Sequence, residues 1–504
     1  MTGRDRTFVI VGASLAGAKA TEALRQEGFE GRVVLIGEEA ARPYERPPLS
    51  KKYLRGEADR STVYVHDESF YDEQAIELRA GSRASGIDAG AAEVVLDDGS
   101  RLGYDALLLA TGAEPRRLPV PGADLDGVYY LRTLDDSDRL RAAISAAGRV
   151  VVIGAGWIGS EVAASAREMG AGVAVVEMAH LPLERIMGPE VGRVYRDLHT
   201  SHGVDLHFGV GVEALVGSSA VSGVRLADGT TVEGDMVVVG VGVAPRVELA
   251  ESAGLTVDNG IVVDDRLRTS AANIYAAGDV ANAWHPLFRT RLRVEHWANA
   301  LNQGPAAARN MLGADRPYDR IPYFFSDQYD FGMEYSGHAP RWERVVFRGQ
   351  PDKGEFIAFW LDGEGRVLAG MNANIWDVTG PIQDLVRARR PVWLQALQER
   401  PDAGHAVAAA QRRHPAAAQR ADLDPVHSGQ AQEAERGGQA ARGRPLGGLA
   451  EAHRGAGVKH HVEARLLLGH VQAQHEPLQP GVRPPVDLPE VIPRHVGSEV
   501  GELG

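Results

Sequence analysis

The chain reads as an α/β protein with two Rossmann-like dinucleotide-binding domains, a smaller α+β domain after them, and a low-complexity tail. Three observations predict this. Two glycine-rich turns, Gly12-Ala13-Ser14-Leu15-Ala16-Gly17 and Gly154-Ala155-Gly156-Trp157-Ile158-Gly159, lie about 140 residues apart. Each follows a β-branched run and precedes a helical pattern, the strand–turn–helix context that a dinucleotide site requires. From about Pro322 the pattern changes to short, aromatic-rich strands such as Glu355 to Trp360.

The elements follow in order. Phe8 to Val11 is a strand that runs into the first turn. Gly12 permits the tight turn, the small Ser14 lets the backbone approach a pyrophosphate, and Gly17 allows close helix–strand packing. Leu15 and Ala16 complete the turn, whose N–H groups and helix dipole would meet phosphate. Ser14 stands where a second glycine is usual. Arg32 to Ile36 closes the βαβ unit, and Glu38 follows, placed to accept ribose hydroxyls. Ala106 to Ala110 is a buried strand ending in the small turn Thr111-Gly112, and Gly122 to Gly127 is loop.

The second unit starts at Val150 to Ile153. Gly154, Gly156 and Gly159 complete its fingerprint, with Ile158 inside the turn, and Val173 to Val176 leads to Glu177. A carboxylate there accepts both ribose hydroxyls and repels a 2′-phosphate, so NADH is expected over NADPH. Arg185, nearby in sequence, leaves room for some NADPH use. Val237 to Gly242 repeats the earlier strand end, and Ile274 to Asp279 is another.

Composition narrows the chemistry. The 504 residues are 44% hydrophobic, enough for several cores, and the net charge of −14 argues against nucleic-acid binding. No stretch approaches a membrane span, and no signal-peptide pattern precedes the first strand, so a cytoplasmic protein is expected. The absence of cysteine excludes a redox disulfide, a cysteine-ligated zinc and a cysteine-ligated iron–sulfur cluster in the chain itself. Residues 391–504 lack Phe, Tyr and Met and hold one Trp, too little apolar bulk to offset ordering entropy, so disorder is expected there. Their nine histidines show no ligand spacing, so no metal site is expected.

Two dinucleotide turns in one chain suggest a flavin and a nicotinamide held face to face. Further motifs then carry a resemblance. Arg42 to Lys51 reads Arg-Pro-Tyr-Glu-Arg-Pro-Pro-Leu-Ser-Lys, followed by Ala110-Thr111-Gly112, Ala276 to Ala281, Arg293 to Ala300 and Ser326-Asp327-Gln328-Tyr329. In this order, over residues 7–390, they resemble the FAD-dependent ferredoxin reductases that serve bacterial oxygenases. The resemblance implies a glutathione-reductase-like architecture: an FAD domain at 1–113 and 246–321, an NAD domain at 114–245, a C-terminal reductase domain at 322–390, and the tail. It implies that Asp279 meets the ribityl chain of FAD, and that Arg46 and Lys51 lie along the isoalloxazine. It places Arg132 and the Ala84 backbone toward adenine, Trp297 near the pyrimidine end, and Thr111, Gly112 and Gly242 along the cofactors. It pairs Glu161 with Lys51, to order the cleft and stabilise charge on the reduced flavin.

Two positions depart from the family. Arg246, in a hinge segment, stands where Asn is frequent, and Phe325 stands where some relatives have Trp. The family also closes near Arg390, so a shifted reading frame after Val392 is one expectation for the tail. With no disulfide available, a one-electron protein acceptor, a [2Fe–2S] ferredoxin, fits the outlet. Arg289, Arg291 and Arg293, with Arg266 and Arg268, are candidates for docking an acidic partner. An NADH oxidase or quinone reductase, or a flavoprotein like apoptosis-inducing factor, are the competing readings.

Overall fold

The structure, a computed structural model, describes residues 5–398. Its first lobe is built on a five-stranded parallel sheet. The strand Thr7–Val11 sits at the centre, with Arg32–Ile36 and then Ile76–Arg79 on one side and Ala106–Leu109 and then Ile274–Ala276 on the other. Phe8, Val9, Ile10, Val34, Leu35, Leu107 and Leu108 are fully buried, because a parallel sheet covered on both faces needs near-continuous apolar strands. The chain runs to one side of the central strand and later to the other. This leaves a crevice above its C-terminal end, where Gly12 begins.

The second lobe repeats the plan. Arg149–Ile153 is central, Gly172–Glu177 and Asp205–Phe208 lie to one side, and Met236–Val239 and Val128–Tyr129 to the other, all parallel. A two-stranded antiparallel ribbon, Ala113–Pro115 against Val243–Pro245, carries the chain out of the first lobe and back.

The third part is a five-stranded antiparallel sheet, ordered Tyr323–Gln328, Phe331–Gly337, Val367–Ala373, Glu355–Leu361, Arg344–Gln350. The helix Thr379–Ala388 buries Ile382, Leu385 and Val386 in the same core as Phe359 and Leu361. Trp360 is fully buried and donates its indole N–H to the Met187 carbonyl at 3.1 Å, fixing this sheet to the kinked helix Glu184–Ser201. Order continues past Arg390. The helix Leu394–Gln398 buries Leu397, and Arg348 donates to the carbonyls of Leu397 at 2.5 Å and Ala396 at 2.8 Å. The packing therefore extends eight residues into the segment expected to be disordered, because Leu397 completes a core that Arg348 caps. The rest of the tail expectation falls on residues outside the described ones. Among the described residues no helix is long and apolar enough to cross a membrane.

Candidate active site: two dinucleotide cradles and the cleft between them

In the first cradle Gly12 has φ +120°, and a Cβ there would lie 2.1 Å from the Ala110 carbonyl oxygen. Only glycine fits. Ser14 caps the helix Leu15–Gln26 with extended backbone but gives it no side-chain hydrogen bond. The first helical N–H groups thus have no partner within the helix. Ala16 lies under a second helix, since a Cβ on Gly304 would be 2.2 Å from the Ala16 carbonyl oxygen. Glu38 is half-exposed, and its Oε2 accepts from Arg246 at 2.6 Å. Ala84 is buried at the start of its strand.

Deeper in this lobe a charged group converges. Arg132 Nη2 donates to Asp279 Oδ2 at 2.9 Å. Arg46 donates to the Arg132 carbonyl and pairs with Glu39 at 3.1 Å. Glu39 also accepts from the Tyr44 hydroxyl, whose proton burial holds on far above the ordinary range. Burial lowers the Arg132 guanidinium, with Asp279 opposing it. The Thr111 hydroxyl donates to the Arg246 carbonyl at 2.8 Å, and Gly112 has φ +70° beside Arg132. Trp297 opens the helix Trp297–Met311, 6.0 Å from the Phe325 ring. Arg132 Nε and His296 Nδ1 are buried without a hydrogen-bond partner. Orphaned polar atoms beside the charged Asp279, next to a turn that admits no side chain, are the donor set a flavin dinucleotide would complete.

The second cradle has the same build. Gly154 has φ +100°, with a would-be Cβ 2.5 Å from the Gly240 carbonyl oxygen, while nothing lies within 4 Å of one at Gly156. The open side at Gly156 is where a pyrophosphate could approach, and Gly159 packs against Gly154 behind it. Glu177 accepts from Ala155 N–H at 2.8 Å and from Ala179 N–H at 2.9 Å, so its carboxylate is fixed by backbone. Ile158, Met178, Ile186 and Val241 are exposed apolar side chains near these strand ends. Gly242 follows Val241, and its carbonyl accepts from Arg116 N–H at 2.9 Å.

Between the cradles, Lys51 Nζ and Glu161 Oε2 are 2.6 Å apart, both largely buried. Glu161 is fed by two more donors, Ser50 Oγ at 2.5 Å and Ser326 Oγ at 2.7 Å. The chain of bonds continues outward. Gln328 Nε2 donates to Ser326 Oγ at 3.3 Å, His199 Nε2 lies 3.0 Å from Gln328 Oε1, and the Tyr329 hydroxyl lies 3.3 Å from His199 Nδ1. One polarity satisfies every link, with Tyr329 giving to His199, His199 to Gln328, Gln328 to Ser326 and Ser326 to the carboxylate. Burial holds the His199 imidazole down at about 4, against the opposing bond from Gln328, so the ring is neutral as this polarity needs. Glu161, Ser165 and Glu168 make a polar stripe on the helix Trp157–Glu168. Ser165 donates to the Ser50 carbonyl at 2.7 Å, and Glu168 pairs with Arg55 at 3.0 Å.

Of this cluster, sequence reasoning had named Lys51 and Glu161 but missed Ser50, Ser326, Gln328 and His199 as members. Ser326 and Gln328 could have been found, since alternate residues of a strand share a face. His199 carries no local signal. Three of the five arginines expected to form a basic patch are paired with acids. Arg266 pairs with Asp265 and Asp315, Arg268 with Asp315, and Arg293 with Glu295. Arg291 donates to the carbonyls of Val263 at 2.7 Å and Asn282 at 3.2 Å. Among the described residues Arg289 is exposed and forms no ion pair.

Comparison with known proteins agrees with this geometry. Residues 6–304 match the pyridine nucleotide-disulphide oxidoreductase family model, and residues 323–401 match that of the reductase C-terminal domain. The ferredoxin–NAD(+) reductase component of an anthranilate 1,2-dioxygenase system from Burkholderia cepacia is 40% identical over 76% of this chain and 94% of its own length. Putidaredoxin reductase of Pseudomonas putida is 39% identical over 72% of this chain and 87% of its own. The crystal structure of a covalent putidaredoxin reductase–putidaredoxin complex superposes with TM-score 0.78 at 36% identity, covering 81% of this chain and 100% of that one. The two family models together with these relatives show which family the chain belongs to: the FAD- and NAD(H)-dependent ferredoxin reductases of the pyridine nucleotide-disulphide oxidoreductase family.

Proposed function

We propose that the chain takes electrons from NADH and passes them through FAD, one at a time, to a [2Fe–2S] ferredoxin that serves an oxygenase, in the cytoplasm. The observation that carries this is the shared cleft. Two glycine cradles of the same strand–turn–helix plan meet across a buried Lys51–Glu161 pair, in a chain with no cysteine to receive the electrons. Bound FAD supplies a hydride acceptor that can hand on electrons singly.

The chain's residues bind and orient. Gly12 makes the turn, its own N–H held by the Ile36 carbonyl at 2.8 Å, while Ser14, Leu15, Ala16 and Gly17 would present backbone N–H groups to the flavin pyrophosphate and Glu38 would take the adenosine ribose. Asp279, Arg132, Arg46 and Trp297 line the ribityl and ring portions. Gly154, Gly156, Ile158 and Gly159 receive the NADH pyrophosphate. Glu177, held by two N–H groups, is a rigid acceptor for both ribose hydroxyls and opposes a 2′-phosphate, which favours NADH. Lys51 presents a positive charge toward the flavin ring, fixed by Glu161, Ser50 and Ser326, with its Nζ 5.8 Å from the Phe325 ring centre. Phe325 and Trp297 form an aromatic edge on this side, their ring centres 6.0 Å apart. The chain's division at 113/114 and 245/246 falls in and beside the ribbon that carries it between the two lobes.

Anaerobic titration tests the reading. NADH should bleach the flavin of the purified protein, and addition of an oxidised [2Fe–2S] ferredoxin should restore it while two clusters are reduced per NADH. Oxygen consumed at the full rate of NADH oxidation, with no transfer to any ferredoxin, would favour an oxidase instead.

A further inference from the structure

Glu38 and Glu177 both lie at the end of the second strand of a βαβ unit, but Glu177 is the last residue of its strand whereas Glu38 lies two residues beyond Arg32–Ile36, and they are held differently. Glu177 accepts from two backbone N–H groups. Glu38 faces two arginines: Arg246 Nη2 donates to Oε2 at 2.6 Å, and Arg83 Nη1 lies 3.7 Å from Oε1. Arg246 belongs to the crossing between lobes. It directly follows the ribbon strand Val243–Pro245, its N–H donates to the Gly112 carbonyl at 3.0 Å, and its own carbonyl accepts from Thr111 Oγ1 at 2.8 Å. A residue anchored at both backbone groups in the ribbon therefore reaches the acid of the first cradle.

We infer that Arg246 is a positioning residue for FAD, holding the Glu38 carboxylate in the orientation that receives the adenosine ribose and so tying FAD retention to the interlobe ribbon. This rests on the reading of the first cradle as the FAD site. A half-exposed glutamate samples several rotamers, and each is lost when a ligand fixes the side chain. An ion pair with an anchored guanidinium removes that freedom before the ligand arrives, and preorganisation of this kind raises affinity. Arg246 engages one carboxylate oxygen by hydrogen bond, while Oε1 is within ion-pair reach of Arg83 but beyond hydrogen-bond distance. A carboxylate offers about four lone-pair sites, so acceptors remain for ribose hydroxyls. Because the pair is exposed, dissolved salt weakens it. The effect is confined to the adenosine half of FAD, since FMN has no adenosine.

The test uses apoprotein reconstituted with FAD or FMN, with binding read by flavin fluorescence at 20 and at 500 mM KCl. Arg246→Asn should weaken FAD by about tenfold at low salt, less at high salt, and leave FMN affinity unchanged. Arg246→Lys should fall between it and the wild type. Glu38→Gln should lose FAD affinity as well, and the double variant R246N/E38Q should be no weaker than E38Q alone, because the two act as one unit. FAD affinity unchanged in R246N, independent losses that multiply in the double variant, or a parallel loss of FMN would each overturn the role of Arg246. The parallel loss would mean that the ribbon itself had loosened. Wild-type protein that binds neither flavin would overturn the reading of the cradle instead.

Discussion

At the scale of single residues, the Lys51–Glu161 pair is the most exacting arrangement in the cleft. Removing one partner strands the other in a buried site, which costs about 3–5 kcal/mol in comparable pairs. Glu161→Ala should therefore lower unfolding stability by about 3 kcal/mol in urea titration, whereas Glu161→Gln, which keeps the shape, should fold and show flavin reduction by NADH slowed at least about tenfold in stopped flow. Glu177→Ala should lower kcat/KM for NADH and narrow its preference over NADPH, measured in steady state with ferricyanide. An unchanged ratio would remove Glu177 from coenzyme choice. His199 and His296 give a pH signature. Burial puts both at about 4, below the usual histidine value. As pH falls from about 6.5 to about 4 the unfolded chain takes up these protons first, so stability is full above that window and declines through it. The slope is about 1.4 kcal/mol per pH unit for each histidine, and a replacement of His199 that still folds should flatten the urea-derived profile by one such increment.

The elements explain why these residues meet. The helix Trp157–Glu168 sends Glu161, Ser165 and Glu168, spaced by four and three, toward the segment Ser50 to Arg55 of the other lobe. The strand Tyr323–Gln328 sends alternate Ser326 and Gln328 inward from the third domain. Three parts of the chain thus converge on one carboxylate. The turns obey a stricter rule. Gly12→Ala would place a methyl group 2.1 Å from the Ala110 carbonyl oxygen at a φ that L-residues avoid. It should cost on the order of 3 kcal/mol and abolish flavin loading, whereas Gly156→Ala, facing open space, should leave the fold intact. A thermal melt and a visible spectrum of each variant separate the two outcomes. The glycine turns, their flanking strands and the acids after them were legible in the sequence because each is local, set by neighbours within about thirty residues. Of the network around Glu161, Lys51 entered through the family resemblance, whereas His199, linked to it through Gln328 and Ser326, comes near only through packing of distant elements.

For the whole molecule the open matter is where a partner docks. The five arginines considered for this purpose carry less free charge than their spacing suggests, because Asp265, Asp315 and Glu295 neutralise three of them. Arg289, exposed on the turn between two short strands, remains the better probe. Arg289→Glu should raise the KM for ferredoxin several-fold at low salt while ferricyanide reduction by NADH stays unchanged. Equal loss of both activities would exclude this turn from docking. Taken alone, the amino-acid order determined the two dinucleotide folds, the missing disulfide route and the change to short, aromatic-rich strands in a third, α+β domain. Each of these is written in periodicity, in glycines that no other residue can replace, or in a residue type that is simply absent. The tertiary structure alone decided that Arg246 reaches Glu38, that Ser50 and Ser326 join Lys51 on Glu161, and that three of the five candidate docking arginines are paired with acids. Charge pairing and buried hydrogen bonds act across space, between residues whose separation along the chain carries no record of their contact.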